Sequence, residues 1–460
     1  MKIKSVLSIL MALVLLIGCL GGCVNKDTDA SGSSGDKKVP DENAEVFTIA
    51  KATYYSNQDP WNGDGEYGEA MREAIAEIEG EYNIKIEIDY YSPIEFLSIA
   101  QTAITNGDTE FADVMFHQLF SFGPLYAQGL LYDLSSLEGL DTKSKFWNDE
   151  IMGVTSFKNG VYGIGSSGIN GYNGGNSVHY NRDMIKSLGL EDPAELVRRG
   201  EWTWDKLREY SLKAVKDLNN DGQFTDADRF GCTAVSYDGF CPIWLTAGVP
   251  TMIKDANGNL TYNMLSNDAV NALQKLNSVF TVDDGMFYNA GMQATVQQAQ
   301  FLSGKSMFLL GRWTQEGEEN GEFEIATIPL PKYNADSEYV TPVFHNTTVM
   351  SVPATTERAE LIGKVLMLLG EKTKGFGEYI INDAATNYVD REQYIEMAQN
   401  YGEKISVDPF NIMLNVNEAI SIGTMRAIGQ NVGAKSNYSQ FTEGQAKKIQ
   451  SLLDEMFNKE

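Results

Sequence analysis

EVFTIA at residues 45–50, IKIEI at 84–88 and ADVMF at 112–116 are the three runs that decide the fold. Each is short and rich in apolar or β-branched residues, which is typical of a strand. Between them, 67–82 carries apolar residues at helical spacing, and 94–106 is a second helical stretch. Strands that alternate with helices predict a parallel sheet with crossover helices, which is an α/β fold.

The same alternation continues through the rest of the chain. Helical spacing predicts helices at 265–280, 359–369 and 442–457, and apolar runs predict strands at 306–310 and 323–328. A chain of this length exceeds one compact core, so two domains are expected. Ligands of α/β sheets bind at the carboxyl ends of the strands, so the loops after Ala50, Phe116, Ile164 and Leu310 are candidates.

The first 23 residues predict export and a lipid anchor. Lys2 and Lys4 precede an apolar run over 6–20, which is too short to span a bilayer, and LGGC ends at Cys23. This order resembles the leader and lipobox of bacterial lipoproteins, in which the cysteine is acylated. Cys19 is an alternative anchor. A second alternative is an ordinary cleaved leader, in which neither cysteine carries lipid. Cys23 is preferred because a polar tract, expected to be a flexible linker over 24–44, begins just after it.

The charge of the chain excludes one class of partner. The sequence has 36 Lys and Arg against 63 Asp and Glu, a formal charge of −27. Such a surface repels phosphate backbones, so nucleic-acid binding is not expected. Calcium and neutral polar ligands remain compatible with it. The 22 Tyr and 6 Trp can line a binding site, although most aromatic rings pack in a core.

The loop DLNNDGQFTDAD at 217–228 has the spacing of an EF-hand. Oxygen-bearing side chains occupy positions 1, 3 and 5, glycine occupies position 6, and Asp replaces the usual Glu at position 12. The predicted Ca²⁺ ligands are Asp217, Asn219, Asp221, the Gln223 carbonyl and Asp228. A structural role is expected because the loop is single. The alternative is a solvated acidic turn, since Asp, Asn and Gly also favour plain turns.

The sequence gives no positive case for catalysis. Its histidines, His117, His179 and His345, are not spaced as a metal pair, and no G-x-S-x-G, P-loop or dinucleotide motif occurs. A carboxylate pair for glycoside hydrolysis stays open, because acidic residues are abundant. Beyond the leader, Cys232 and Cys241 form either a disulfide or two buried thiols, and the second alternative is slightly preferred.

Several motifs resemble one known family in its own order along the chain. They are ADVMF at 112–116 with YAQGLL at 126–131, VYGI at 161–164, VHYNRD at 178–183, TWD at 203–205 and FLSGKSMFLLGRW at 301–313. The family is that of the extracellular solute-binding proteins of ABC importers, the maltose-binding-like group that carries sugars. The resemblance covers the whole chain after its leader.

The resemblance implies a two-lobe periplasmic-binding-protein-like fold of type II. Each lobe would be a mainly parallel sheet flanked by helices, and a hinge would let the lobes close over a ligand. The first lobe would comprise 45–165 and 345–405, and the second 166–344 and 406–460. The chain would cross between the lobes near 165–168 and again near His345.

The resemblance also implies ligand contacts. Trp313 matches the family's stacking Trp, and Trp244 and His117 fall where relatives place aromatic or polar groups. The residues expected at the ligand are Tyr54, Asn57, Trp61, His117, Asn170, Trp244, Trp313 and His345. Core packing is the alternative for each ring. The Gly-, Asn- and Ser-rich insert at 166–177 departs from the family pattern, and it contains Asn170.

These features together predict binding without chemistry. The protein would capture a carbohydrate, expected to be an oligosaccharide, and deliver it to the transmembrane subunits of an ABC permease. It would act as a monomer, anchored by lipid at the extracellular face of the cell membrane, which keeps it near that permease. A sugar suits such a site because its apolar face stacks on aromatic rings while its hydroxyls bond polar side chains. The alternatives are an exported glycan-active enzyme with structural calcium, the ligand-binding component of a sensory system, and a peptide or polyol as ligand.

Overall fold

The computed structural model describes residues 38–54, 59–170, 175–234, 242–290, 293–313, 322–343, 347–413 and 438–458. Its strands are β1 (Glu45–Ala52), β2 (Ile84–Tyr91), β3 (Val114–Gln118), β4 (Ser156–Phe157), β5 (Gly160–Val161), β6 (Asn176–Asn181), β7 (Phe230–Ala234), β8 (Met252–Lys254), β9 (Leu260–Tyr262), β10 (Phe287–Tyr288), β11 (Ser306–Arg312), β12 (Ile325–Pro329), β13 (Thr341–Val343), β14 (Thr348–Ser351) and β15 (Ile405–Val407). Its helices are α1 (Glu66–Tyr82), α2 (Pro93–Thr105), α3 (Leu119–Ala127), α4 (Asp149–Thr155), α5 (Ser167–Asn170), α6 (Arg182–Ser187), α7 (Pro193–Arg198), α8 (Trp204–Ala214), α9 (Asn267–Val279), α10 (Ala294–Leu302), α11 (Ala359–Thr373), α12 (Gly377–Ala385), α13 (Arg391–Met397) and α14 (Tyr438–Met456). Within these ranges no helix is both long and apolar enough to cross a membrane.

The first sheet confirms the predicted parallel arrangement. Its order is β14-β3-β1-β2, with β1 parallel to both β2 and β3 and with β14 antiparallel to β3. Helix α1 ends at Tyr82, and the capping residue Asn83 has a φ of 51° that turns the chain into β2. Asp113 fixes the backbone in front of β3, because its carboxylate accepts the N–H of Thr48 at 2.7 Å and pairs with Arg358.

The second sheet is mixed, with two parallel and two antiparallel strand pairings, and so differs from the mainly parallel sheet that the resemblance implies. Its order is β10-β7-β11-β6-β12, with β7 parallel to β10 and β11, and with β6 antiparallel to β11 and β12. Cys232 in β7 is a buried free thiol, which agrees with the second cysteine alternative. Burial raises the pKa of this thiol well above its usual range. Cys241 lies outside the described residues.

Alternating side chains bury both faces of the first sheet. Phe47 and Ile49 of β1 pack in one apolar cluster with α1 and α11. Ala50 and Ala52 belong to another cluster, which continues into the second sheet. Fully burying one large apolar side chain contributes roughly 1.5–3 kcal/mol, so these runs stabilise the strands that their period-2 pattern predicts.

Within the described part of the chain, three stretches connect the two sheets, and we call them the crossing segments: 165–170 with Gly175, Val343 with Thr347, and 402–408. Strands β13 and β15 pair in parallel, and Gly175 forms a bridge with Val343. All three crossing segments therefore lie side by side. The resemblance names crossings near 165–168 and near His345, and the lobe boundary that it implies at 405 falls within the third segment.

Helix α13 packs on the second sheet. Gln393 Nε2 donates to the carbonyl of Thr327 at 2.9 Å, and the Tyr394 hydroxyl donates to the carbonyl of Trp313 at 3.0 Å. The chain therefore reaches the second sheet before residue 391. The lobe boundary at 405 that the resemblance implies differs from this packing.

Candidate functional site

The carboxyl ends of the parallel strands meet the crossing segments at one edge of each sheet. In the first sheet, Ala52 and Gln118 end β1 and β3, and Thr348 begins the antiparallel β14 beside Gln118. In the second sheet, Arg312 ends β11 and pairs with Asn176, the first residue of the antiparallel β6. Two crossing segments lead into β6 and β14 at these same ends. We therefore place the candidate site between the two edges, where α/β proteins bind ligands.

Two buried polar groups without partners lie where β3 passes into α3, and a third lies in the 409–413 turn that packs against α3. Gln118 Nε2 donates to the carbonyl of Ala52 at 3.0 Å, but its Oε1 is buried and accepts nothing. Ser121 in the first turn of α3 has a buried hydroxyl without a partner. Asn411 contacts the second crossing segment, since its Nδ2 donates to Val343 at 3.3 Å while its Oδ1 has no partner. We call Gln118, Ser121 and Asn411 the polar cluster. Each unpaired buried group costs about 1–3 kcal/mol, so ligand hydroxyls or water bound there would stabilise the site.

His117 lies at the same edge but in the core. Its Nδ1–H donates to the carbonyl of Gln118 at 3.1 Å, so Nε2 is the acceptor for the Ser351 hydroxyl at 2.7 Å. The ring stacks on Phe96 with centroids 5.4 Å apart. Burial lowers its pKa to about 4, against the effect of the Gln118 carbonyl. In this structure His117 therefore joins β3 to β14 and is fully buried, and its contact with a ligand stays a prediction.

Trp61 is also buried, and it holds a crossing segment. Its Nε1 donates to the carbonyl of Ile169 at 3.0 Å, and the Tyr67 hydroxyl donates to the same carbonyl at 3.0 Å. The ammonium of Lys51 lies 3.8 Å from the Trp61 ring centroid and 2.8 Å from the carboxylate of Asp59. Burial lowers the pKa of Lys51 to about 8, and the Asp59 charge opposes that shift. The Trp61 indole thus fixes the first crossing segment beside the end of β1.

The other two tryptophans predicted at the ligand, Trp244 and Trp313, are also buried in this structure. Trp313 directly follows β11, and its backbone N–H donates to the carbonyl of Gly175 at 3.1 Å. Its ring contacts the ring of Tyr394 edge to face, with centroids 6.2 Å apart. Trp244 lies in the core with no exposed surface. The indole N–H of each is buried without a partner. Core packing, the alternative for every ring, therefore describes Trp244, whereas Trp313 lies at the edge of the site with its ring covered.

The remaining predicted contacts are only partly described. Tyr54 follows β1 and is half exposed. Asn170 is the last residue of α5. Asn57 and His345 lie outside the described residues. The structure thus brings Tyr54 and His117 to the first edge and Trp313 to the second.

The profile of the bacterial extracellular solute-binding proteins matches residues 62–385. The chain belongs to this family. A comparison with curated protein sequences finds no match. The fold is that of two-lobe solute-binding proteins, as three solved structures illustrate.

Each of the three structures is matched over almost its full length. A cyclic α-maltosyl-1,6-maltose binding protein from Arthrobacter globiformis has 13% identity and a TM-score of 0.61 over 89% of this chain and 99% of its own. An ABC substrate-binding protein from Listeria monocytogenes in complex with cycloalternan has 14% identity and a TM-score of 0.55 over 91% and 100%. UgpB from Mycobacterium tuberculosis in complex with glycerophosphocholine has 14% identity and a TM-score of 0.57 over 90% and 99%. At these identities the likeness establishes the fold.

The acidic loop of this solute-binding protein is closed by its own hydrogen bonds. Asp217 accepts the N–H groups of Asn220 and Gly222, at 2.6 and 2.8 Å. Asp228 accepts the N–H groups of Leu218 and Thr225, both at 2.9 Å, and these bonds hold its pKa below the usual range. Among the described residues, no three Asp, Glu, His or Cys side chains are placed as a metal site. The loop backbone has the turn that the spacing predicts, and Ca²⁺ binding stays a prediction.

Sequence reasoning missed the polar cluster of this family member. Gln118 lies two residues after ADVMF, at the end of a predicted strand, and this position could have indicated a place at the ligand. Asn411 has no such signal, because its contact with Val343 joins residues 68 positions apart and arises only in the fold.

Proposed function

We propose that this solute-binding protein captures a neutral oligosaccharide between its two lobes and delivers it to the transmembrane subunits of an ABC permease. The polar cluster carries the proposal, because its amide oxygens and hydroxyl suit the many hydroxyls of a sugar. Family membership supports binding rather than catalysis. The Arthrobacter protein is a cyclic α-maltosyl-1,6-maltose binding protein, and the Listeria protein is in complex with cycloalternan.

Calorimetry with linear and cyclic glucose oligosaccharides tests this proposal. Ser121→Ala removes a hydroxyl of the polar cluster, so the dissociation constant should rise about two- to tenfold, the range of one hydrogen bond. Ser211→Ala is the matched control, because Ser211 in α8 is equally buried and equally unpaired but lies away from the crossing segments. The sugar assignment fails if no carbohydrate binds while a peptide or glycerophosphocholine does, the latter being present in the Mycobacterium structure.

We propose that lipid on Cys23 tethers the protein to the extracellular face of the membrane. Cys23→Ala should release the chain into the medium, and Cys19→Ala should leave it on cells. The reverse result would move the anchor to Cys19.

Loss of oligosaccharide uptake in a strain without the protein supports delivery to a permease. Normal uptake combined with a lost transcriptional response to the sugar would indicate a sensory role instead.

We also propose that the loop 217–228 binds one Ca²⁺ for stability. The side-chain oxygens of Asp217, Asn219 and Asp221 all turn into the loop, where they accept its backbone N–H groups. Hard cations prefer such oxygen-rich loops. Ca²⁺ should raise Tm, and Asp217→Asn should weaken that response. The proposal fails if calorimetry detects no binding of Ca²⁺ and EDTA leaves Tm unchanged.

A further inference from the structure

The segment that leads into β1 packs on the C-terminal end of helix α1. We call residues 38–44, which belong to the tract expected as a linker, the strap. Asp41 and Asn83 bond each other twice, because the backbone N–H of Asp41 donates to Asn83 Oδ1 at 2.9 Å and Asn83 Nδ2 donates to Asp41 Oδ2 at 3.1 Å. The ammonium of Lys38 lies 3.1 Å from the carboxylate of Glu81. The strap is therefore held to the end of α1 at two points.

A glycine inside α1 allows the strap to approach the helix. Gly80 is buried in the last turn of α1, where glycine is unfavourable because it loses more backbone freedom on folding than any other residue. A Cβ at this position would lie 2.0 Å from the carbonyl oxygen of Lys38. Any side chain at position 80 would therefore displace the strap.

The strap joins the first sheet at the edge opposite the candidate site. It directly precedes β1, and Asn83 directly precedes β2. These strands are parallel and in register from Glu45 and Ile84 onward, so the strap and Asn83 both lie at their amino ends. The candidate site lies at the carboxyl ends of the strands. Strand β1 has eight residues, so the two edges are about 26 Å apart.

We propose that the strap fixes the point at which the lipid tether leaves the first lobe, at the edge distal to the candidate site. This inference rests on the proposed lipid at Cys23. With the strap in place, the tether consists of the 14 residues 24–37, whereas without it the tether would consist of the 21 residues 24–44. A flexible chain of 14 residues spans roughly 20 Å on average, which is less than the length of β1. The strap edge of the first lobe therefore lies nearer to the membrane than the candidate site does.

Hydrogen exchange measured by NMR tests the strap. The Asp41 and Ala44 amides, which donate to Asn83 Oδ1 and to the Asp41 carbonyl, should be protected. Asn83→Gly tolerates the φ of 51° and removes both bonds to Asp41, so exchange there should become about tenfold faster or more. Gly80→Ala should have the same effect, whereas Gly153→Ala, where a Cβ meets nothing within 4 Å, should not. The amides of β1 should stay protected in every variant.

Energy transfer on vesicles tests the orientation. A fluorescent amino acid replaces either Lys85, an exposed residue near the amino end of β2, or Tyr54, a half-exposed residue just after the carboxyl end of β1. The lipidated protein is bound to phosphatidylcholine vesicles that carry a lipid-linked acceptor. Transfer should be stronger from position 85 than from position 54. The difference should be smaller in the Gly80→Ala/Asn83→Gly protein, because its tether is longer.

The two measurements separate the strap from the lipid. The strap is overturned if the Asp41 amide of the parent chain exchanges as fast as in an unfolded peptide, or if Asn83→Gly leaves its exchange unchanged. The orientation is overturned if transfer from position 54 equals or exceeds transfer from position 85. Protein that does not associate with the vesicles refutes the lipid proposal and the orientation with it, whereas hydrogen exchange still decides the strap. Oligosaccharide binding enters neither measurement.

Discussion

Acidification should destabilise this protein through two buried histidines. The His179 ring is fully buried, bonds Thr327 Oγ1 at 2.8 Å and donates to the Arg312 carbonyl at 2.9 Å. Burial lowers its pKa to about 4, as it does for His117. Both side chains ionise near 6.5 in the unfolded chain. The unfolded state therefore binds more protons between pH 6.5 and 4, and stability must fall as the pH falls through that window.

The magnitude follows from the two pKa values. From pH 7.5 to 5.5, each histidine removes about 1.3 kcal/mol from the free energy of unfolding, and the full difference of 2.5 units corresponds to about 3.4 kcal/mol below pH 4. Urea unfolding at pH 7.5 and 5.5 measures the loss directly. His117→Gln and His179→Gln keep one donor and one acceptor without the titration. Each variant should abolish about half of the histidine contribution.

A double variant tests whether His117 and His179 are the groups whose titration lowers the stability. If the His117→Gln/His179→Gln protein loses as much stability between pH 7.5 and 5.5 as the parent chain, these histidines are not the titrating groups and the reasoning is refuted. An unchanged urea slope in all variants is the control that the unfolding reaction is the same.

Two further predictions concern the first crossing segment. Trp61→Phe removes the indole donor to Ile169 and should lower the free energy of unfolding by about 1 kcal/mol, measured by urea unfolding; an unchanged value would show that this bond contributes nothing. Gly168→Ala should cost about 3 kcal/mol or more, because the new Cβ would lie 1.9 Å from the Thr373 carbonyl oxygen. Gly153→Ala is its control, since a Cβ there meets nothing within 4 Å and Tm should not fall; equal losses in the two glycine variants would contradict the packing argument.

The regular elements were predictable because burial follows the period of the sequence. In β2 the run IKIEIDYY alternates between more and less exposed positions. The predicted helix over 359–369 corresponds to α11 and extends four residues further, to Thr373. Such patterns are local, so a single sequence contains them.

The roles of the aromatic side chains were not predictable in the same way. A Trp that follows a strand is equally compatible with a stacking surface and with a core. The role of Trp61 depends on its hydrogen bond to the carbonyl of Ile169, which lies 108 positions away in the sequence. The orientation of Gln118 depends on its bond to the carbonyl of Ala52, 66 positions away. No local period encodes such pairings, since they arise from the order of the strands and the path of the crossing segments.

The insert at 166–177 shows how a departure from a family pattern can have a packing cause. Its glycines suggest a loop that reaches the ligand, yet two of them lie where neighbouring atoms leave no room for a side chain. Gly168 faces the Thr373 carbonyl, and a Cβ on Gly175 would lie 2.5 Å from a methyl group of Thr341. A larger residue at position 168 would push away a segment that Trp61 and Tyr67 hold by hydrogen bonds to the carbonyls of Ile169 and Gly168. The glycine content of the insert therefore follows in part from the close packing of the crossing segments, and any ligand contacts that the insert makes must come from its other residues.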